Sequence, residues 1–303
     1  MSGRCFAGLP APVELAARAA AGATVCAVAI GTAALVGSRC LHLTRTRSGL
    51  ARVRRVEGAD GSVVRVLQLG GVFQSATYID EHRFEPVFAY YRAFDAMFKA
   101  DEALRARAGH GVRRVLMLGG GGYAYPKYAL TSHPELSMDV VEIDQAITRL
   151  AQRWFYLDEL HHRVGSRLGL ITADAREYVA RAASASVRYD AVVNDCFSGV
   201  EPVRALATVE ALHAVRACLV PGGLYLANIV STCDGACVDF LRDAVATALR
   251  VFSCVQVVPC PDELFGGEDN YLLVASDADI ALAGALPFDD DFLGSVMHDD
   301  TVS

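Results

Sequence analysis

The stretch RVLMLGGGGYAYPKYAL, Arg114–Leu130, followed by DVVEIDQAI at residues 139–147, decides the fold. An apolar strand runs into four glycines and then into a helix from about Pro126. The glycines let the backbone turn sharply and approach a ligand with no Cβ in the way. A second apolar strand, Leu136–Ile143, ends on Glu142, 23 residues beyond Gly119. An acid at that spacing is placed to accept both ribose hydroxyls of an adenosine, while Asp144 is the better candidate for capping the next helix.

The alternation continues outward. A helix over Gln145–Phe155 precedes a strand at Leu168–Thr172, and a helix over Arg176–Ala183 precedes a strand at Ala191–Asn194. A helix over Thr208–Leu219 then leads through Pro221-Gly222-Gly223 to a strand at Leu224–Val230, and Val255–Val258 with Tyr271–Ala275 reads as a closing antiparallel pair. Strands alternating with helices at this spacing predict an α/β, Rossmann-like, doubly wound and mainly parallel sheet. In such sheets ligands lie outside the carboxyl ends of the strands. The glycines Gly119, Gly120 and Gly121, with Glu142, Asp174 and Asp195, therefore point into one crevice, and Asp195 lies where a reacting group would sit. Asp174 is read either as accepting from an adenine amine or as capping the helix that starts at Ala175.

Upstream, Ser62–Leu69 and Val72–Tyr78 read as a short β-hairpin within a small module, 41–84, and residues 85–108 show a helical apolar period that opens a domain running to residue 280. Tyr90-Tyr91 on that helix reads as core packing before acceptor contact. His161-His162 reads as a solvated turn, and 281–303, with five aspartates and no Lys or Arg, as a solvated, partly disordered acidic tail.

The chain has 303 residues, 53% of them hydrophobic, and a formal net charge of −7, which argues against a nucleic-acid partner. Cys233 and Cys237 form a lone C-x3-C without a second pair, so no metal site is expected. Residues 19–38 are uncharged and Ala-rich, and six arginines follow between Arg39 and Arg55. The length suits a single membrane helix within a hydrophobic segment 1–40, with everything after it in the cytoplasm. The other reading is an Ala-rich helix lying on the domain or on a partner.

Taken together, VLMLGGGGYAYPKYAL, DVVEIDQAI, ITADAREYV (171–179), YDAVVNDCFSG (189–199) and LVPGGLYLANIV (219–230) resemble the spermidine synthase family. The resemblance covers about residues 62 to 276, with GGVFQSA (70–76) similar to the family's N-terminal β module, and it implies a class I S-adenosylmethionine-dependent methyltransferase-like fold. By that resemblance Gln74 and Glu142 hold the donor's nucleoside, Asp174 with Ala175 holds its adenine, and Asp195 orients and deprotonates an attacking amine. The implied donor is decarboxylated S-adenosylmethionine or S-adenosylmethionine, and the implied partner a small-molecule amine, with a homodimer left open.

The sequence also departs from the family pattern. The loop that reads GGGDGG in the family has Gly122 at the place of its acid, and D-x-x-D-P has become Asp195-Cys196-Phe197-Ser198-Gly199. Each lost charge-assisted hydrogen bond removes about 1.5–3 kcal/mol from a dicationic acceptor. Tyr123, Tyr125 and Phe197, with Ser198, are expected to line the acceptor pocket instead. The GGGGYAYPKY and DCFSG forms resemble a divergent, often membrane-fused branch of the family. Three functions are in view: an aminopropyltransferase, a methyltransferase on the same fold, and a non-catalytic nucleoside-binding scaffold.

Overall fold

A computed structural model describes residues 39–57, 61–70, 72–198, 201–231, 236–260 and 269–302. The uncharged stretch 19–38 and Cys233 lie outside them. At the centre stands a seven-stranded sheet of β5 (Arg114–Leu118), β6 (Ser137–Glu142), β7 (Leu168–Thr172), β8 (Tyr189–Asn194), β11 (Leu219–Ser231), β12 (Cys254–Cys260) and β13 (Asp269–Ser276), with β9 (Phe197–Ser198) and β10 (Glu201–Pro202) paired apart from it. Its order is β12-β13-β11-β8-β5-β6-β7. The five strands from β11 to β7 pair in parallel, and β13 and β12 close one edge antiparallel, as the sequence predicts.

The apolar runs form strands because helices cover both faces of the sheet, so alternate residues of one strand enter different cores. Val115 and Met117 of β5 face one cluster, while Leu116 and Leu118 face the other. Each such side chain contributes about 1.5–3 kcal/mol by leaving water. Chain order reverses between β5 and β8: β6 and β7 extend to one side, β8 and β11 to the other. That reversal opens the crevice.

Several sequence expectations are corrected. The N-terminal module is a four-stranded antiparallel meander, not a lone hairpin, because the arginine stretch itself forms β1 (Arg39–Thr46) and β2 (Gly49–Glu57) beside β3 (Val63–Leu69) and β4 (Val72–Tyr78). Ala51 and Val53 point inward while Arg52 is exposed, an alternation hidden by the density of arginine. Residues 85–108 are not one helix. A 3₁₀ segment, Ala89–Asp95, leads into two short helices, Ala96–Lys99 and Glu102–Ala108. Buried Asp101 holds the second in place through Arg105 Nε (2.7 Å) and the Val112 amide (3.2 Å). His161 and His162 lie inside a helix, Leu157–Val164, and not in a turn. A helix unread in the sequence, Ala236–Val251, packs beside β11 and β12.

The acidic end is also not a free tail. Phe292 and Met297 are buried in the second core. Asp299 accepts from Thr208 Oγ1 at 2.6 Å and from Arg176 Nη2 at 2.8 Å, and Arg242 Nε donates to the Phe292 carbonyl at 2.7 Å. Phe292→Ala is expected to cost about 3 kcal/mol of unfolding free energy. Denaturant titration checks it, and a change below 1 kcal/mol (roughly a surface substitution) would show that the segment is not part of the folded core.

Candidate functional site

The glycine loop sits where three strand ends meet. Gly119 donates to the Val141 carbonyl at 2.9 Å, and the Asp195 amide donates to the Leu118 carbonyl at 2.9 Å. Gly119 has φ +93°, and a Cβ there would stand 2.5 Å from the Asp195 carbonyl oxygen. Only glycine fits between the ends of β5 and β8. Glu142, at the end of β6, is 8% exposed and turns its carboxylate onto the loop. Its Oε2 accepts from Gly120 N at 3.1 Å and Gly121 N at 3.0 Å, and its Oε1 from Asp144 N at 3.0 Å.

Asp144 caps its helix by accepting from Ala146 N at 2.8 Å, as read from the sequence, and also accepts from the Arg47 amide in the β1–β2 turn. Asp174 caps the helix Ala175–Ser184 by accepting from Glu177 N at 3.1 Å. Gln74 of β4 is half-buried, and its carbonyl lies 3.9 Å from the place a Cβ on Gly121 would take. The N-terminal sheet thus lines the loop from outside.

Asp195 is half-buried just beyond β8. Asn228 of β11 donates Nδ2 to its Oδ1 at 3.0 Å, and Tyr90 donates its hydroxyl to Oδ2 at 3.4 Å. Burial pushes the carboxyl up to about 6, and the two hydrogen bonds, which favour the ionised form, hold it from rising further. Because the folded chain keeps this proton more tightly than an unfolded one, Asp195 costs stability as pH rises from about 4 through 6. The neighbouring Cys196 thiol is held well above its ordinary value by burial and then by the charges of Glu142, Asp195 and Asp174. The thiol is thereby favoured in its protonated form.

The acceptor-side residues divide differently from the expectation. Tyr123 and Tyr125 are fully buried and do not line a pocket. Tyr123 shares a 3.0 Å hydrogen bond with Thr148 Oγ1, and Tyr125 donates to Asp95 at 3.2 Å. Both rings, with Ala124 between them, belong to the first core. Phe197 is half-buried and pairs through its backbone with Pro202 in a two-residue bridge. The Ser198 backbone pairs with Glu201, and its side chain is outside the described ones. Gly122 is closed to a side chain: a Cβ there would lie 2.4 Å from Ser75 Oγ and 3.1 Å from the Phe155 ring. Tyr90, read as core packing before acceptor contact, reaches the Asp195 carboxylate. Asn228 was missed, and its place in β11, one residue beyond the Ala227–Asn194 pair and so level with Asp195, was the available signal.

The fold is that of a Rossmann-like domain with a crevice at the switch point of its sheet. Residues 104–248 match the spermine/spermidine synthase domain, and over that stretch the chain is similar to the spermidine synthase family. Among similar proteins is the polyamine aminopropyltransferase of Vibrio vulnificus, 34% identical over 119 residues, which are 39% of this chain and 38% of that one. The chain thus spans under half the length of that curated relative. Among solved structures, a probable spermidine synthase from Corynebacterium glutamicum superposes with a TM-score of 0.65 at 21% identity, covering 85% of this chain and 96% of that one. Human methyltransferase-like protein 13 in complex with SAH superposes at 0.53 and 21% identity, covering 64% and 86%. The two structures share the fold.

Asn228→Ala is expected to raise the Asp195 carboxyl above about 6, since a donor to the charged form is lost. Carbon-13 NMR titration of the aspartate carboxyls measures it, and an unmoved or lowered value would remove Asn228 from the control of Asp195.

Proposed function

We propose that the chain transfers an aminopropyl group from decarboxylated S-adenosylmethionine to an amine. The observation that carries this reading is Asp195, a half-buried carboxyl raised to about 6 at the mouth of the glycine-loop crevice. In the proposed step the acceptor's ammonium gives a proton to Asp195. The freed nitrogen pair attacks the methylene carbon on the sulfonium, the C–S bond breaks, and its electrons leave on sulfur as methylthioadenosine. The product nitrogen keeps its two protons as a secondary ammonium, and Asp195 then passes the proton it took to solvent. The donor carries its own leaving group, so the protein's task is to align nitrogen, carbon and sulfur and to take one proton.

The donor half is assigned as follows. Glu142 takes the ribose hydroxyls, since a carboxylate has about four acceptor sites and the loop amides use only part of them. Asp174 and Ala175 take the adenine edge, while Gly119, Gly120, Gly121 and Gln74 form the walls. Tyr90 and Phe197 stand on the acceptor side. Residues 41–84 are read as a module that covers the crevice and 85–280 as the donor-binding domain. Methyl transfer from S-adenosylmethionine is the second reading, favoured by Gly122, whose slot excludes the extra acid a dication would use.

Incubating the full chain with either donor and a panel of amines, and weighing the products, tests the choice. Aminopropylated amine is expected; methylated product alone would favour the second reading, and no product a binding scaffold. The rate is expected to rise with pH through about 6 and then level, because the carboxylate is the working form. Asp195→Asn is expected to lower turnover by about 10²–10⁴-fold while methylthioadenosine still binds; a near-normal rate would remove Asp195 from the chemistry. Glu142→Ala is expected to weaken methylthioadenosine about tenfold or more by calorimetry, and unchanged affinity would contradict the ribose assignment.

A further inference from the structure

The N-terminal meander has one covered face and one that is half open. Leu41, Ala51, Val53 and Leu67 join the first core, and the His42 ring lies 5.8 Å from that of Trp154. On the opposite face, Val56, Val64, Val66 and Ala76 are covered by Val87 and Phe88, chiefly at the β3–β4 half. The β1–β2 half of that face stays in solvent. There the register sets Leu43 opposite Arg52 and Arg45 opposite Leu50, a checkerboard of two leucines and two arginines. Leu43 is 51% exposed and Leu50 46%, and both arginines are exposed. Arg47, also exposed, stands in the turn between the strands. Among the described residues, the side chains of Arg45, Arg47 and Arg52 have no ion-pair partner.

We propose that this face docks on an anionic lipid bilayer, with the arginines on headgroup phosphates and the two leucines entering the interface. The combination selects the partner. A polybasic patch is attracted to an anionic leaflet, and apolar side chains add insertion that a nucleic acid would not reward. A second copy of the chain would set these arginines against their own equivalents. Residues 1–38 contain only Arg4, Glu14 and Arg18 as charged groups, so they offer little to neutralise the patch. In sequence the uncharged stretch 19–38, long enough for a membrane helix, directly precedes β1. The inference does not depend on the proposed reaction.

The test measures sedimentation of the full chain with phosphatidylcholine vesicles, with and without phosphatidylglycerol. The quantity read is the increment due to phosphatidylglycerol, so that any charge-independent insertion of 19–38 cancels. An increment of about tenfold or more at 0.1 M salt is expected, lost at 0.5 M. Arg45→Glu/Arg52→Glu is expected to abolish it, and Leu43→Ser/Leu50→Ser to reduce it several-fold. Arg107→Glu/Arg188→Glu, exposed arginines outside the meander, is expected to keep it. Circular dichroism melting should leave all three variants folded, since the altered side chains are exposed. No increment, or an increment lost equally in the Arg107/Arg188 variant, would overturn the proposal. So would a dimer in solution that Arg45→Glu/Arg52→Glu dissolves, because the face would then belong to a second copy.

Discussion

The approach of Gly119 to the Asp195 carbonyl is the constraint on which the site depends. A methyl group at Gly119 would need the space that carbonyl occupies, 2.5 Å away. With no Cβ, β5 and β8 run side by side to their carboxyl ends, and the Leu118 carbonyl takes the Asp195 amide. The same glycine bonds to Val141, which brings in the end of β6 and sets Glu142 one residue on. One backbone contact thus fixes the relative positions of the loop, the acid that faces it and the carboxyl at the switch point.

The electrostatics follow from that placement. Glu142 is buried, yet it accepts from three backbone amides, so its charge is met by aligned dipoles without a cation. Asp195 has two weaker donors in Asn228 and Tyr90 and its carboxyl rises to about 6. Two carboxylates thus sit in one crevice with different partners, and under the proposed function Glu142 binds while Asp195 exchanges a proton. Methyl or aminopropyl transfer would both use this division, which is why the fold alone does not choose between them.

The parallel sheet was legible because its strands are buried on both faces and punctuated by glycine, and the placing of Glu142, Asp174 and Asp195 was legible because strand ends repeat. The surroundings of Asp195 were harder. Tyr123 and Tyr125 read as pocket residues from their nearness to the glycines, but both rings belong to the first core. Tyr90 and Asn228 lie 105 and 33 residues from Asp195 and meet it only through tertiary packing. In β1 and β2 the arginines concealed a period of two, and at the C-terminal end five aspartates concealed two core residues, Phe292 and Met297. In both cases composition outweighed periodicity in the reading, and burial is set by periodicity.

The central claim is that one crevice at the β5–β8 switch point holds a nucleoside donor with its sulfur turned toward Asp195. A crystal structure of the chain with methylthioadenosine bound tests it most directly. The account predicts ribose hydroxyls on the Glu142 carboxylate, the adenine edge at Asp174, and the thioether on the Asp195 side. A nucleoside bound elsewhere, or one in this crevice with its sulfur pointing away from Asp195, would contradict it.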